Sequence, residues 1–424
     1  MSVRAEIIIG ANYGDEGKGL ATHFFTQRAI ADGGRVLNVL YNGGPQRGHT
    51  VEYKNGVRHI FHHFGSGFLD GAQTYFDADF MVNPIFFRKE WEELKQLVAE
   101  QAVKDKPERF NISPMWESWQ IYISPDCRVI TPWDSFVNQI AENSRGKNRH
   151  GSCGFGIWET QKRYENGFGW SFEDMTKAIG DGRIFTHLKE IRDVYAIRRL
   201  KEYGIDDIPI QYREVFYSDK LLENYVMDLF IMSARCKLVR SYEDLAAHYR
   251  TMIFEAGQGL ALDEGNKEAL PHVTASKTGS AVPVKRIRDL ADRIDICYVT
   301  RSYFTRHGAG PFPTECPASE INQDSLSLID CTNVPNQFQQ HFRYGKFDSR
   351  EFLNRICDDR LETWKIRSNV TASCLITHLN ETNGDICGDT DIKELGKFFY
   401  DVYLSDSRYA ENIRKDERRK HGIF

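Results

Sequence analysis

A chain of 424 residues that is 41% hydrophobic and 12% aromatic can bury a large core, and its 27% charged residues leave a net charge of only −5. That balance offers no basic field for nucleic acid: Arg414-Lys415 and Arg418-Arg419-Lys420 are diluted by Asp416 and Glu417, and no apolar stretch is of membrane length. Nine cysteines without a CxxC pair suit reduced thiols better than a disulfide frame or zinc site, and the short Ile7-Ile8-Ile9 run is no signal segment, so a cytoplasmic protein is expected.

The first element is a strand, Glu6–Ile9, ending in GANYGDEGKG (Gly10 to Gly19). Gly14, Gly17 and Gly19 let the backbone approach a ligand, successive N–H groups can point at phosphate oxygens, and Lys18 adds a positive charge. The segment after them can start a helix whose N-terminus favours anions. Asp15 and Glu16 beside a phosphate make sense if a carboxylate binds the magnesium of a nucleoside triphosphate or takes a proton from substrate. The loop does not follow the GxxxxGK[ST] pattern.

A second strand, Val36–Tyr41, runs into YNGGPQRGHTV (Tyr41 to Val51), where His49 is a candidate electrophile or acid. Helical patterns are expected over Phe86–Lys104, Ser218–Met232 and Ser241–Arg250, the last with Ser241 as N-cap and Glu243-Asp244 in its first turn. Further buried strands are expected at Gln120–Ile123, Met252–Phe254, Ile296–Val299 and Ser373–Thr377. Two more glycine-bearing loops follow strand ends: FEAGQGLALDEG (Phe254 to Gly265), leading to HVTAS (His272 to Ser276), and TRHGAGPFPTE (Thr305 to Glu315). The alternation argues for an α/β fold that binds its ligand beyond the carboxyl ends of the strands. With no repeat and no linker, residues 1–424 are expected to form one domain.

On these residues the chain resembles the adenylosuccinate synthetases, which join aspartate to the 6-position of IMP at the expense of a nucleoside triphosphate. The family's GxQWGDEGKGK stands here as GANYGDEGKGL, its GGNNAGHTV as GGPQRGHTV, its FEGAQGxxLD...VTSS as FEAGQGLALD...VTAS, and its TRVGAGPFPTE as TRHGAGPFPTE. The likeness covers roughly Ile7 to Leu379. It implies one large α/β domain with a central mostly parallel sheet flanked by helices and subdomain insertions, Mg2+ as cofactor, and a homodimer. The partners implied are a purine nucleoside monophosphate, L-aspartate and a nucleoside triphosphate, with neither nucleic acid nor membrane. By the same resemblance Asp15 is the catalytic base and a magnesium ligand, Gly48 a metal ligand through its carbonyl, His49 the acid and Gln258 a purine-site residue, and the catalytic set expected is Asp15, His49, Lys18 and Gln258. Gly14, Glu16, Gly17, Gly19, Thr50, His378 and Asn380 fall on nucleotide-binding positions. Gln46, Ser152, Cys153, Arg163, Thr274 and Arg343 fall on substrate-binding ones, Arg163 being matched to the arginine that the family lends to the neighbouring subunit's nucleotide.

The chain departs from the family at several points. Phe155, in SCGFGIWE, replaces an arginine that helps bind aspartate; the arginine-rich TTGRRRRTG loop becomes Thr332 to Gly345, keeping Arg343; and the guanine-contacting SxGP becomes LSDSRY (Leu404 to Tyr409). The guanine-reading TKLD becomes THLN, with His378 and Asn380. An asparagine amide can donate to adenine N1 and accept from the 6-amino group, so ATP or dATP is expected over GTP. In this the chain is similar to phage relatives that make 2-aminoadenylosuccinate from dGMP. Those relatives carry a small hydroxyl residue where this chain has Asp15. IMP is therefore the acceptor expected first, with dGMP as the alternative and a catalytically silent nucleotide-binding paralogue as a further one.

Overall fold

The computed structural model describes residues 3–104, 120–324, 328 and 342–417. Most of the expected aspartate-loop counterpart, residues 332–341, lies outside the described residues.

The molecule is organised on a ten-stranded sheet. Its strands in chain order are β1 (Val3–Gly10), β2 (Val36–Leu40), β3 (Gln73–Phe76), β4 (Ile121–Ile123), β5 (Cys236–Leu238), β6 (Thr251–Gly259), β7 (Ala291–Arg301), β8 (Thr371–Thr377), β9 (Asp401–Leu404) and β10 (Arg414–Lys415). Across the sheet the order is β10-β9-β8-β7-β1-β6-β2-β3-β4-β5. Every pairing is parallel except that of β9 with β10. The parallel arrangement explains the continuous apolar runs: Ile7 and Ile9 bury into one core and Ile8 into another across the sheet.

The helices that matter for the site are α1 (Lys18–Ala31), α2 (Pro84–Lys104), α3 (Pro132–Ser144), α4 (Ile157–Glu165), α5 (Asp219–Arg235), α6 (Tyr242–Ala246) and α7 (Ser349–Trp364). Helix α3 starts with Pro132 behind a Thr131–Asp134 capping box. Ser218 caps α5 and Ser241 caps α6 through their hydroxyls. The expected helix Ser241–Arg250 shrinks to the single turn of α6, because residues after Ala246 must turn the chain into β6 at Thr251. An aromatic core of Phe64, Phe76, Phe87, Trp91 and Trp133 packs against the β2–β4 side, while α7 closes the β1–β8 side through Phe352 and Ile356. The carboxyl ends of β1, β2, β6, β7 and β8 therefore converge on one edge of the sheet, each carrying a polar loop.

Candidate active site

A cleft of about 1450 Å³ opens at that edge, lined by the loops after β1, β2, β6, β7 and β8. The loop after β1 holds left-handed backbone at Gly14 (φ 96°), Asp15 (φ 58°) and Gly17 (φ 95°), and Gly17 caps α1. Glycine is required at Gly17 by conformation and at Gly19 by space: a Cβ at Gly19 would stand 2.9 Å from His49 Cβ. The start of α1 is thus seated directly on the loop that bears His49.

Within this loop the two carboxylates have separate fates. Asp15 is half-buried and lines the cleft. Glu16 is buried, accepts the Asn12 N–H at 2.6 Å, and has its carboxyl pushed up to about 7 by burial, against the pull of Lys18. Lys18 is buried too, and burial lowers its affinity for its proton while Glu16 and Asp15 oppose that effect. Lys18 lines the cleft beside these two carboxylates.

In the same cleft, His49 Nδ1 lies 2.6 Å from Glu255 Oε1. Burial alone would raise the Glu255 carboxyl, but the Arg47 guanidinium at 2.9 Å and His49 outweigh it and hold it at about 2. An ionised carboxylate accepts, so Nδ1 carries the hydrogen and the bare Nε2 is left without a protein partner. Burial first, then Arg47, pulls the imidazole down to about 3. Ser66 completes the clamp, its N–H donating to Glu255 Oε2 at 3.0 Å and its hydroxyl to Oε1. Unpartnered buried atoms of Glu16, Gln46, Arg47, Thr50 and His307 join His49 Nε2 around the same cleft. Buried polar groups in native folds have partners, so this concentration marks a surface built for a polar ligand.

The loop after β8 adjoins the glycine loop after β1: Thr377 Oγ1 donates to Glu16 O at 2.9 Å, and a Cβ on Gly17 would meet Thr377 Cγ2 at 3.1 Å. His378 has φ 60°, Asn380 is exposed in the cleft, and Leu379 N–H donates to Ser405 O at 3.2 Å, which brings the Asp406–Tyr409 loop alongside. Gln258, Thr274, Gly48, Ser152 and Cys153 also line the cleft.

Residues 7–327 match the family model described as adenylosuccinate synthetase. The chain belongs to the adenylosuccinate synthetase family. Curated members of that name from Syntrophobacter fumaroxidans and Desulfosudis oleivorans are each 27% identical to it, over 89% and 73% of this chain and 78% and 65% of their own lengths. Among solved structures, the fully ligated adenylosuccinate synthetase of Plasmodium falciparum aligns with TM-score 0.62 and 17% identity, over 100% of this chain and 88% of that one. The succinoaminodeoxyadenylate synthetase of cyanophage S-2L, described as bound to dGMP and to dATP as an energy donor, aligns with TM-score 0.57 and 11% identity, over 98% and 96%. Both likenesses show the mostly parallel α/β fold. Adenylosuccinate synthetases are carbon–nitrogen ligases of purine biosynthesis.

Two residues expected in the substrate site of an adenylosuccinate synthetase stand elsewhere. Arg163 is fully buried in α4, where Nε and Nη2 bind Asp134 at 2.9 and 3.0 Å and Nη2 also donates to Val129 O at 2.6 Å. Its charge is consumed inside the fold, and it does not line the cleft. Arg343 is paired with Glu315 and donates to Gly308 O and Gly310 O at 3.2 and 2.9 Å, so it fastens the GAGP loop from behind. Ser152 is on the cleft wall but donates to Asn138 Oδ1 at 2.8 Å, and burial pushes the Cys153 thiol up to about 11, leaving it protonated. Phe155, which stands where the family resemblance places an arginine, presents its ring to Phe86 with centroids 4.8 Å apart. The residues that sequence reasoning missed are Glu255, Arg47 and Arg301. The signal for Glu255 was a lone carboxylate inside the apolar run Met252–Ala256, where only a paired charge is stable.

Proposed function

We propose that this protein joins L-aspartate to C6 of a 6-oxopurine nucleoside monophosphate, IMP first, through a 6-phosphoryl intermediate formed from a nucleoside triphosphate. The observation that carries the reading is that Asp15 and His49 line one cleft together with the glycine loop and buried Lys18. Asp15 is suited to take the N1 proton, which puts negative charge on O6. O6 then attacks the γ-phosphorus, breaking its bond to the β-γ bridging oxygen, with Lys18 and the loop N–H groups holding the charge of the donor phosphates. The aspartate amine displaces the 6-phosphoryl group as inorganic phosphate, and a proton leaves the nitrogen. His49 acts at O6; its bare Nε2 gains a hydrogen to donate only when developing charge there favours it.

Mg2+ fits the oxygen donors present: the cleft-facing Asp15 carboxylate and the carbonyl of exposed Gly48 would hold it. Among the described residues no group of three His, Cys, Asp or Glu is arranged to hold a metal alone. Phosphates and water would therefore complete its shell, and its contribution when bound is to neutralise phosphate charge.

For the donor, the exposed Asn380 amide beside the Asp406–Tyr409 loop favours an adenine base. The second reading, dGMP as acceptor with ATP or dATP, is favoured by the same asparagine and by the likeness to the cyanophage enzyme. Phosphate release with each of monophosphate, aspartate and triphosphate omitted in turn tests the reaction. All three should be required. Release without aspartate, or no release with either IMP or dGMP, would overturn it, and ultraviolet difference spectra with the two monophosphates decide between the acceptors.

A further inference from the structure

Among the described residues only three non-glycines hold left-handed backbone: Asp15, His378 and Asn383, at φ 58°, 60° and 57°. Such a conformation persists only where its surroundings impose it. Two of the three are gripped by consecutive residues of one strand end. Arg301, the last residue of β7, donates from Nε to Asp15 O at 2.6 Å, and Ser302 Oγ donates to His378 O at 3.1 Å. β7 lies between β1 and β8, so its end reaches both loops at once, beside the direct link from Thr377 Oγ1 to Glu16 O.

The grip is extended on the side of the β8 loop. Arg301 Nη1 donates to Tyr303 OH at 3.0 Å, and that hydroxyl donates to Glu381 Oε2 at 2.5 Å, one residue beyond Asn380. Thr382 Oγ1 donates to Ser302 Oγ at 2.8 Å, so the turn from His378 to Thr382 is bound to this strand end at three points. Ser302 and Tyr303 are fully buried and lie outside the cleft lining, so neither meets a ligand. A continuous hydrogen-bonded route from Glu381 to Asp15 O runs through Tyr303 and Arg301, and Ser302 ties His378 and Thr382 to the same strand end.

We infer that Arg301, Ser302 and Tyr303 are positioning residues that join the turn bearing Asn380 to the backbone of Asp15, so that a base seated on the turn sets the carboxylate for the acceptor purine. A base that fits the turn holds Glu381 and, through Tyr303, keeps the Arg301 guanidinium in the plane that fixes Asp15 O. A base that displaces the turn loosens that carbonyl and the residue that carries it. Donor and acceptor would then bind with mutual enhancement, each raising the affinity of the other by the same factor. The inference rests on the proposed roles of Asp15 and Asn380.

The test measures binding by calorimetry, with adenylyl imidodiphosphate and Mg2+ as donor probe and IMP or dGMP as acceptor probe, each alone and each with the other saturating. In the parent protein the enhancement should be about tenfold, within the usual range of coupling between sites. Ser302→Ala and Tyr303→Phe should each keep the single-ligand affinities within about twofold and reduce the enhancement to about twofold or less. Full enhancement in both variants, or none in the parent, overturns the inference. Should Tyr303→Phe fail to fold, as judged by its circular dichroism, Ser302→Ala decides alone. Failure of the parent to bind either probe would instead strike the functional reading itself, whereas binding of both without enhancement strikes only the coupling.

Discussion

Glu255 Oε1 stands 2.6 Å from His49 Nδ1 and 2.9 Å from Arg47 Nη2, so one buried oxygen orients the imidazole and neutralises the guanidinium. Glu255→Gln removes the charge that both depend on. Turnover should fall on the order of a hundredfold, and the unpaired buried Arg47 should cost about 3 kcal/mol of stability. His49→Ala should match the loss of turnover with a much smaller loss of stability. Steady-state rates and urea unfolding of the two variants separate the effects; equal stability losses would contradict this assignment.

Asp15→Asn is a clean test of the carboxylate, because asparagine tolerates the left-handed backbone recorded there at φ 58°. The variant should melt with the parent and lose at least about a hundredfold in turnover. A near-parental rate would remove Asp15 as the base.

Asn380 leads to a prediction about donors. Initial rates at matched subsaturating concentrations should favour ATP or dATP over GTP by about tenfold or more, since a mismatched base leaves polar groups unpaired. Asn380→Asp should shift the ratio toward GTP. The shift should be partial, because the Asp406–Tyr409 loop beside it remains unchanged.

Arg163 separates fold from function. Arg163→Ala leaves Asp134 as a buried carboxylate without its bidentate partner, which should cost about 3–5 kcal/mol. The affinity for nucleotides in the remaining folded protein should be unchanged within about twofold. Weaker nucleotide binding at equal stability would return Arg163 to the substrate site.

A pH effect is expected from Glu6 on the central strand β1. Burial, reinforced by Asp295, raises its carboxyl from an ordinary 4.5 to about 7. Below pH 4.5 the folded and unfolded chains are both protonated there. Between pH 4.5 and 7 the unfolded chain gives up the proton first, so stability falls through that window and stays reduced above it. The loss should be on the order of a few kcal/mol. Glu6→Gln should therefore melt higher than the parent at pH 8 and no higher at pH 4.

The four glycine-bearing loops could be read from residues alone because each follows a buried run, and all four line the one cleft. The strands Gln73–Phe76, Cys236–Leu238 and Asp401–Leu404 escaped, being only three or four residues long, and their identity depends on pairing in the sheet. The arginines were the least legible. Nothing local distinguishes Arg163, folded onto Asp134, from an arginine that waits for a phosphate, since the partner lies on another helix. Asp15 and Lys18 were legible because their neighbours in the chain are also their neighbours in space.

The position of β1 at the centre of the sheet also sets a timetable for biosynthesis. Ile7 pairs with Phe254 on one side and Ile296 on the other, so the strand that carries the first glycine loop has no sheet partner until those residues have left the ribosome. At about 5–20 residues per second that interval is roughly a quarter of a minute to a minute. Throughout it β1 has no strand on either side, and its glycine loop lacks the later loops that complete the cleft. The cleft is therefore among the last features of the nascent chain to form.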